Sequence, residues 1–397
     1  MSLTSRKAKL FGLAAVAASL AISIGLGEVI LRLIASDRYY VWPPGWSYVF
    51  RPTPEIMPGV EAESRFSIND GGLRAGPFSD RDTHRILEIG GSTTECLYLD
   101  DREAWPYLLQ ELLSARQGFG GRVWVGNAGK SGHNTRNHVV QVGRLLDQYP
   151  NIHVVLVLVG ANDFMLRLRL DENYRPFPGV ERLTPNEYDT LMDRSFSVRP
   201  GTDSRYPYLK RTEIWRSLRM IKNRYFDAPA PLSVQDETGE IYRIWRRHRQ
   251  MATSLRGKLP DLSSALDEYS SNVTAIVEHA RSRGVAAVLV TQPFIWRADL
   301  TVEERSLLWM GGVGDYQREP GHEYYSVEAL AAGMQRYNET LVEICRATDV
   351  QCIDLASGLP KDTSVFYDDM HFNESGARAV AAVLARHYSP RMQSVSR

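Results

Sequence analysis

The chain has 397 residues, 43% hydrophobic and 24% charged, with 47 Lys and Arg balanced by 47 Asp and Glu. This is globular composition, long enough for one large domain with insertions or two modest ones. Zero net charge gives no reason to expect nucleic acid as a partner, so any electrostatic preference must come from a local patch.

Residues 1–9 carry Arg6, Lys7 and Lys9, and an uncharged run from Leu10 to Gly27 follows. That run rises roughly 27 Å as a helix, near the lower limit for crossing a bilayer core. The apolar character continues to Ala35. The pattern predicts a transmembrane signal-anchor over 10–35, with the basic end cytoplasmic and the rest exported. A cleaved signal peptide is the alternative, since small residues abound from Ala14 to Ala18.

A lead-in segment over 36–82 is rich in aromatics, Pro and Gly. Within it, residues 66–73 read as two short extended pieces joined by an Asp70-Gly71 turn. A domain over 83–390 then alternates strands and helices. Strands are expected at 85–89, 122–125, 152–159, 285–290 and 352–355, and helices at 101–116, 138–146, 263–283, 326–347 and 374–386. Trp105, Leu108, Leu109, Leu112 and Leu113 would share one inward side of the first of these helices. The run at 152–159 is continuously apolar, which suits a strand buried on both faces. Such alternation predicts a three-layer α/β fold with about five parallel strands, ligands gathering beyond their carboxyl ends.

Two insertions interrupt the pattern, a largely helical one over about 165–260 and a shorter one over 296–325, and residues 391–397 form a tail. From Arg205 to Lys258 there are 13 Lys and Arg against five Asp and Glu, interleaved with Tyr206, Tyr208, Trp215, Tyr225, Phe226, Tyr242 and Trp245. This is either a surface for headgroups or acidic or sugar-rich substrate, or a set of amphipathic helices with aromatics inward. Gly311-Gly312 in the second insertion would let it flex over a site. Cys345 and Cys352 are spaced for a local disulfide in an oxidising compartment, or are two buried thiols, and Cys96 is left unpaired.

Four polar segments fall just after predicted strands. Gly90-Gly91-Ser92 puts a serine at a helix N-terminus, where free N–H groups favour developing negative charge; a simple helix cap is the plainer reading. Asn127 to Gly132 is a Gly-rich loop whose backbone could approach a substrate oxygen. Gly160-Ala161-Asn162-Asp163 follows the most apolar strand, so Asn162 could donate to an oxyanion or merely close a turn. Asp368 and His371, three apart, could pair so that one imidazole nitrogen is left free to take a proton from a hydroxyl. Asp369 is a rival partner.

In this order the four segments resemble the blocks of the SGNH hydrolases, also called GDSL-type esterases, whose sheet is flavodoxin-like. The resemblance spans about 83–390 without the insertions, and departs from the family where Gly91 replaces its usual Asp. It implies Ser92 as nucleophile, His371 as general acid/base and Asp368 as its orienter. The backbone N–H groups of Ser92 and Gly132 and the Asn162 side chain would form the oxyanion hole. No metal and no organic cofactor is implied. The expected activity is hydrolysis of an O-acyl ester, first of all O-acetyl, on an envelope glycan or lipid. Two alternatives are O-acyl transfer to a polysaccharide by the same residues and a catalytically idle glycan-binding or assembly protein.

Overall fold

A computed structural model describes residues 3–34, 37–61, 63–116, 118–119, 121–149, 151–200, 205–218 and 236–389. The first helix, α1 (Leu3–Ile34), contains a stretch, Phe11–Ile34, long and apolar enough to cross a membrane and with none of it buried. Its far end touches the first insertion. The Glu28 carboxylate accepts the backbone N–H groups of Glu213 and Ile214 at 3.0 Å each, where a helical turn begins.

The lead-in contributes an antiparallel pair, β1 (Ser47–Phe50) with β2 (Ser64–Ser67). This corrects the expected hairpin across Asp70-Gly71. The Asn69 side chain instead accepts the N–H groups of Gly71 and Leu73 at 2.9 and 3.1 Å, closing a turn after which Arg74 bridges to Asn127. Val41, Trp42, Phe50 and Phe66 from this segment are buried, so the lead-in is part of the core.

The central sheet holds five parallel strands in the order β4 (Arg122–Asn127), β3 (Asp82–Gly90), β5 (Val154–Leu158), β7 (Ala286–Val290) and β9 (Gln351–Ile353). Every residue of β5 is buried, as its unbroken apolar run requires for a strand covered on both faces. The first strand in chain order lies between the second and third, so the connections diverge between β3 and β5, where such sheets open a crevice. Helices α3 (Trp105–Ala115) and α11 (Glu374–His387) pack together as one layer. The other layer comprises α4 (Thr135–Gln148), α5 (Ala161–Leu170), α8 (Ser263–Arg281) and α10 (Val327–Thr348). The expected three-layer architecture is the one found.

Helix α3 starts at Trp105, not at Asp101. The backbone N–H groups of Glu103 and Ala104 close a turn onto Asp100, Pro106 sits in the first helical turn, and Leu112 faces solvent. The Asp101 carboxylate is occupied elsewhere, against Arg74 at 2.9 Å. The first insertion carries α6 (Pro185–Ser195) and α7 (Glu240–Gln250). Tyr206, Tyr242 and Trp245 are buried while Trp215 is exposed, so the inward-facing alternative holds for the three buried rings. Tyr225 and Phe226 lie outside the described residues.

The second insertion includes α9 (Val302–Ser306) and β8 (Tyr324–Tyr325), which pairs with β6 (Leu255–Arg256). Its Gly311 and Gly312 are closely packed. Gly311 sits at φ +84° with Leu330 against it, and a Cβ at Gly312 would strike the Tyr316 ring. Cys345 and Cys352 are disulfide-bonded across the turn from α10 to β9, and Cys96 is buried and free.

Candidate active site

Strand β3 ends at Gly90, where close approach leaves no room for a side chain: a Cβ would lie 2.7 Å from the Leu158 carbonyl oxygen. The chain then turns into α2 (Ser92–Glu95), with Gly91 rather than Ser92 at the cap position. A helix this short cannot satisfy its own last carbonyls. Side chains from three other segments do so. The Trp105 indole donates to Thr93 at 2.8 Å, the Asn127 amide to Thr94 at 2.7 Å, and the buried Arg74 guanidinium to Glu95, Cys96 and Leu99 at 2.6–2.7 Å. Ser92 is thus fixed at the sheet edge with its hydroxyl free of capping duty.

That hydroxyl meets His371. Its Oγ lies 2.7 Å from Nε2, and Nδ1 lies 2.7 Å from Asp368 Oδ2. With the proton on Nδ1 held by the carboxylate, Nε2 is the acceptor for the Ser92 O–H. Asp368 is fully buried and takes four donors: the backbone N–H groups of Met370 and His371 on Oδ1, and the His371 ring and the Trp309 indole, at 2.8 Å, on Oδ2. Burial drives its pKa upward, but the His371 charge and these donors outweigh burial and hold it below the usual carboxylate value. For His371, burial favours the neutral ring, yet the neighbouring Asp368 charge and bond prevail and raise its pKa above the ordinary 6.5. Asp369 does not touch the imidazole. It is engaged by the Trp296 indole at 2.8 Å and by the backbone N–H groups of Trp309 and Met310 at 2.8 and 3.2 Å.

Asn162 opens α5, and its amide donates to the His133 carbonyl at 2.7 Å, which holds it beside the Gly132 loop. Gly132 is at φ +77°, a left-handed conformation that glycine adopts without cost. The loop is tied to α2 by the Ser131 hydroxyl, which donates to Glu95. Burial pushes the Glu95 carboxyl up to about 7 against the opposing pull of Ser131, Lys130 and Arg74. Burial also brings Lys130 down to about 8, where its ammonium donates to Val41 O and the Ser197 hydroxyl at 3.0 and 2.7 Å. Asp163 accepts from Thr135 N and Oγ1 at 3.0 and 2.5 Å, locking the Asn162 turn to α4.

Ser92, Gly132, Asn162 and His371 all border one cleft of about 1110 Å³. Three aromatic residues wall the imidazole there. Tyr367 and Trp309 lie nearly parallel to it and Tyr242 meets it edge-on. Trp309 is the residue the sequence did not point to: it sits in the second insertion, and nothing in its local pattern separates it from the other tryptophans. Among the described residues, no three His, Cys, Asp or Glu converge to hold a metal ion.

Several solved structures are similar to this chain. An acetylxylan esterase from Geobacillus stearothermophilus is 14% identical, with 80% of this chain and 98% of that chain covered and a TM-score of 0.39. A lipolytic protein of the G-D-S-L family from Desulfitobacterium hafniense is 10% identical, with 77% and 99% covered and a TM-score of 0.38. No curated protein matches the chain. The model of the GDSL-like lipase/acylhydrolase family matches residues 89–379, which take in the serine turn, both loops at the sheet edge and the Asp368–His371 segment. The chain belongs to the GDSL-like lipase/acylhydrolase family and is a serine hydrolase acting on ester bonds.

Proposed function

We propose that Ser92 is the nucleophile, His371 its general acid/base and Asp368 the orienter of the imidazole. The observation that carries this reading is the unbroken run of 2.7 Å contacts from Ser92 Oγ through His371 to Asp368. In the reaction, Nε2 takes the Ser92 proton as Oγ bonds to the acyl carbon. The N–H groups of Ser92 and Gly132 and the Asn162 amide receive the negative charge on the carbonyl oxygen. The intermediate collapses with cleavage of the ester C–O bond, and His371 returns the proton to the leaving alcohol. Water, deprotonated by His371, then releases the acid and restores Ser92.

The substrate in this proposal is a short O-acyl ester, acetyl first, on a glycan or lipid of the cell envelope. A recess of about 10 Å³ beside Ser92, bordered by Gly91, Asn162 and Gln292, has room for little more than one water and supports a small acyl group. Ser92 is only partly buried, so water can reach the acyl-enzyme, which favours hydrolysis over transfer. The apolar Phe11–Ile34 helix, preceded by basic residues, supports a membrane-anchored enzyme with its catalytic domain outside the cytoplasm. The decisive experiment is labelling of the full chain with a fluorophosphonate probe. Wild type reacts and Ser92→Ala does not; equal labelling of the two would remove Ser92 from the mechanism.

A further inference from the structure

The chain as a whole carries no net charge, but the cleft at Ser92 does. Its lining includes Lys130, Arg136, Arg169, Arg175, Arg194 and Arg318, with Glu187 and Asp315 as its only carboxylates among the described residues. Some of these charges are already matched. Arg136 forms two bonds to Glu268 at 2.6 and 2.8 Å, and Arg318 stands 3.6 Å from Asp315. Glu187 is turned to its own helix cap, accepting from Thr184 N and Oγ1 at 2.9 and 2.7 Å. Arg169, Arg175 and Arg194 are exposed, and among the described residues no carboxylate pairs with them. Among the described residues, Arg175 donates only to the carbonyls of Glu172 and Tyr174.

The placement of these arginines relates them to the reaction. Asn162, Met165, Leu166 and Arg169 all line the cleft, the i, i+3, i+4, i+7 face of α5. Arg169 therefore lies ~10 Å along the helix from Asn162. Arg194, near the end of α6, lines the same cleft as His133 and Gly132. The rings of Tyr242, Trp245 and Trp309 also line the cleft. Unpaired guanidinium groups sharing one cleft with aromatic rings suit a polymer of sugar rings bearing carboxylates, since guanidinium matches a planar carboxylate with two parallel bonds.

We propose that this cleft binds an O-acylated anionic glycan, with Arg169, Arg175 and Arg194 pairing with acidic groups on sugars neighbouring the one that carries the ester. This rests on Ser92 being the nucleophile of an ester hydrolase. A glycan with carboxylates is the favoured source of charge, and one with phosphodiester links has the same chemistry.

The test compares the full chain, in detergent, on chemically O-acetylated polyuronate oligomers and O-acetylated xylan oligomers matched in acetyl content. An O-acetylated glycerol-phosphate polymer serves as a third arm to separate carboxylate from phosphate. Wild type is expected to favour at least one of the two anionic polymers over xylan by ten-fold or more in kcat/KM at low salt, with the preference shrinking as salt screens the charges. The triple variant R169Q/R175Q/R194Q should lose that preference through KM rather than kcat. Arg81→Gln, an exposed site outside the cleft, should keep it. Equal kcat/KM on the charged and neutral polymers would overturn the proposal while leaving the esterase reading standing. Absence of turnover on all three polymers, together with no fluorophosphonate labelling, would remove the esterase reading itself. In that case, polyuronate binding to Ser92→Ala by calorimetry decides the cleft separately: binding that the triple variant abolishes supports it, and no binding overturns it.

Discussion

Gly91 stands where related enzymes usually carry Asp, and the structure says what a side chain there would do. A Cβ at Gly91 falls 2.4 Å from Nδ2 of Asn162. Carbon and nitrogen without a bond rest about 1 Å farther apart than that, so the amide would have to retreat by ~1 Å. The φ of −87° at Gly91 lies outside the left-handed region. Gly91→Ala should therefore fold normally and lose rate. Displacement of a positioned group by ~1 Å can cost about 10²-fold, and complete loss of one oxyanion donor about 10²–10³-fold. We expect kcat on p-nitrophenyl acetate to fall about 10²-fold in Gly91→Ala with little change in KM or in urea unfolding. Asn162→Ala sets the floor. Because Gly91→Ala acts through Asn162, the double variant should be no slower than Asn162→Ala alone. Wild-type kcat in Gly91→Ala, or losses that multiply in the double variant, would refute the reasoning.

Three further outcomes follow from the buried groups. Trp309→Phe removes a hydrogen bond to a charged acceptor worth about 1.5–3 kcal/mol. It also leaves Asp368 Oδ2 to His371 alone, so the imidazole becomes more basic; the acidic limb of kcat/KM, expected to be raised in wild type because Asp368 raises the His371 pKa, should move to still higher pH. An unmoved limb in a pH-rate profile counts against the shared-oxygen geometry. Glu95 has a folded pKa near 7, above its ordinary 4.5, so the protonated acid is the form the fold favours. Its contribution is complete below about 4.5 and is lost as pH rises toward 7, about 3 kcal/mol in all. Glu95→Gln should thus gain stability over wild type by denaturant titration at pH 8 and much less at pH 4.5; equal differences at the two pH values contradict this. Reducing the Cys345–Cys352 bond opens a short loop and should cost roughly 2.5 kcal/mol, read as a lower Tm with reductant that Cys345→Ser/Cys352→Ser reproduces without it.

The parts of this molecule that could be read from its sequence are those where one physical rule acts locally. The apolar run of β5 had to be a doubly covered strand, and Asp368 and His371, three residues apart on one loop, were able to meet without help from elsewhere. The rest depends on contacts that span the chain. Asp101 looked like a helix start because the apolar period begins near it, but its carboxylate is drawn to Arg74, 27 residues earlier, and the helix waits for Pro106. The Asp70-Gly71 turn was expected to join two paired strands, and the Asn69 side chain closed it differently. Gly311 and Gly312 read as a hinge because glycine is permissive in an isolated chain; in the fold their missing side chains are filled by Leu330 and Tyr316, and the same feature means tight packing. Trp309 shows the limit most clearly. An indole N–H has no sequence period and no fixed spacing from the carboxylate it serves, 59 residues on, so only the folded chain reveals that this insertion braces the Asp368–His371 pair. An insertion that supplies a donor to the most buried carboxylate of the site cannot be a dispensable ornament on the core fold. The unoccupied arginines of the cleft come from the first insertion and its margins, so the two segments that break the strand-helix pattern are the ones that shape this enzyme's site.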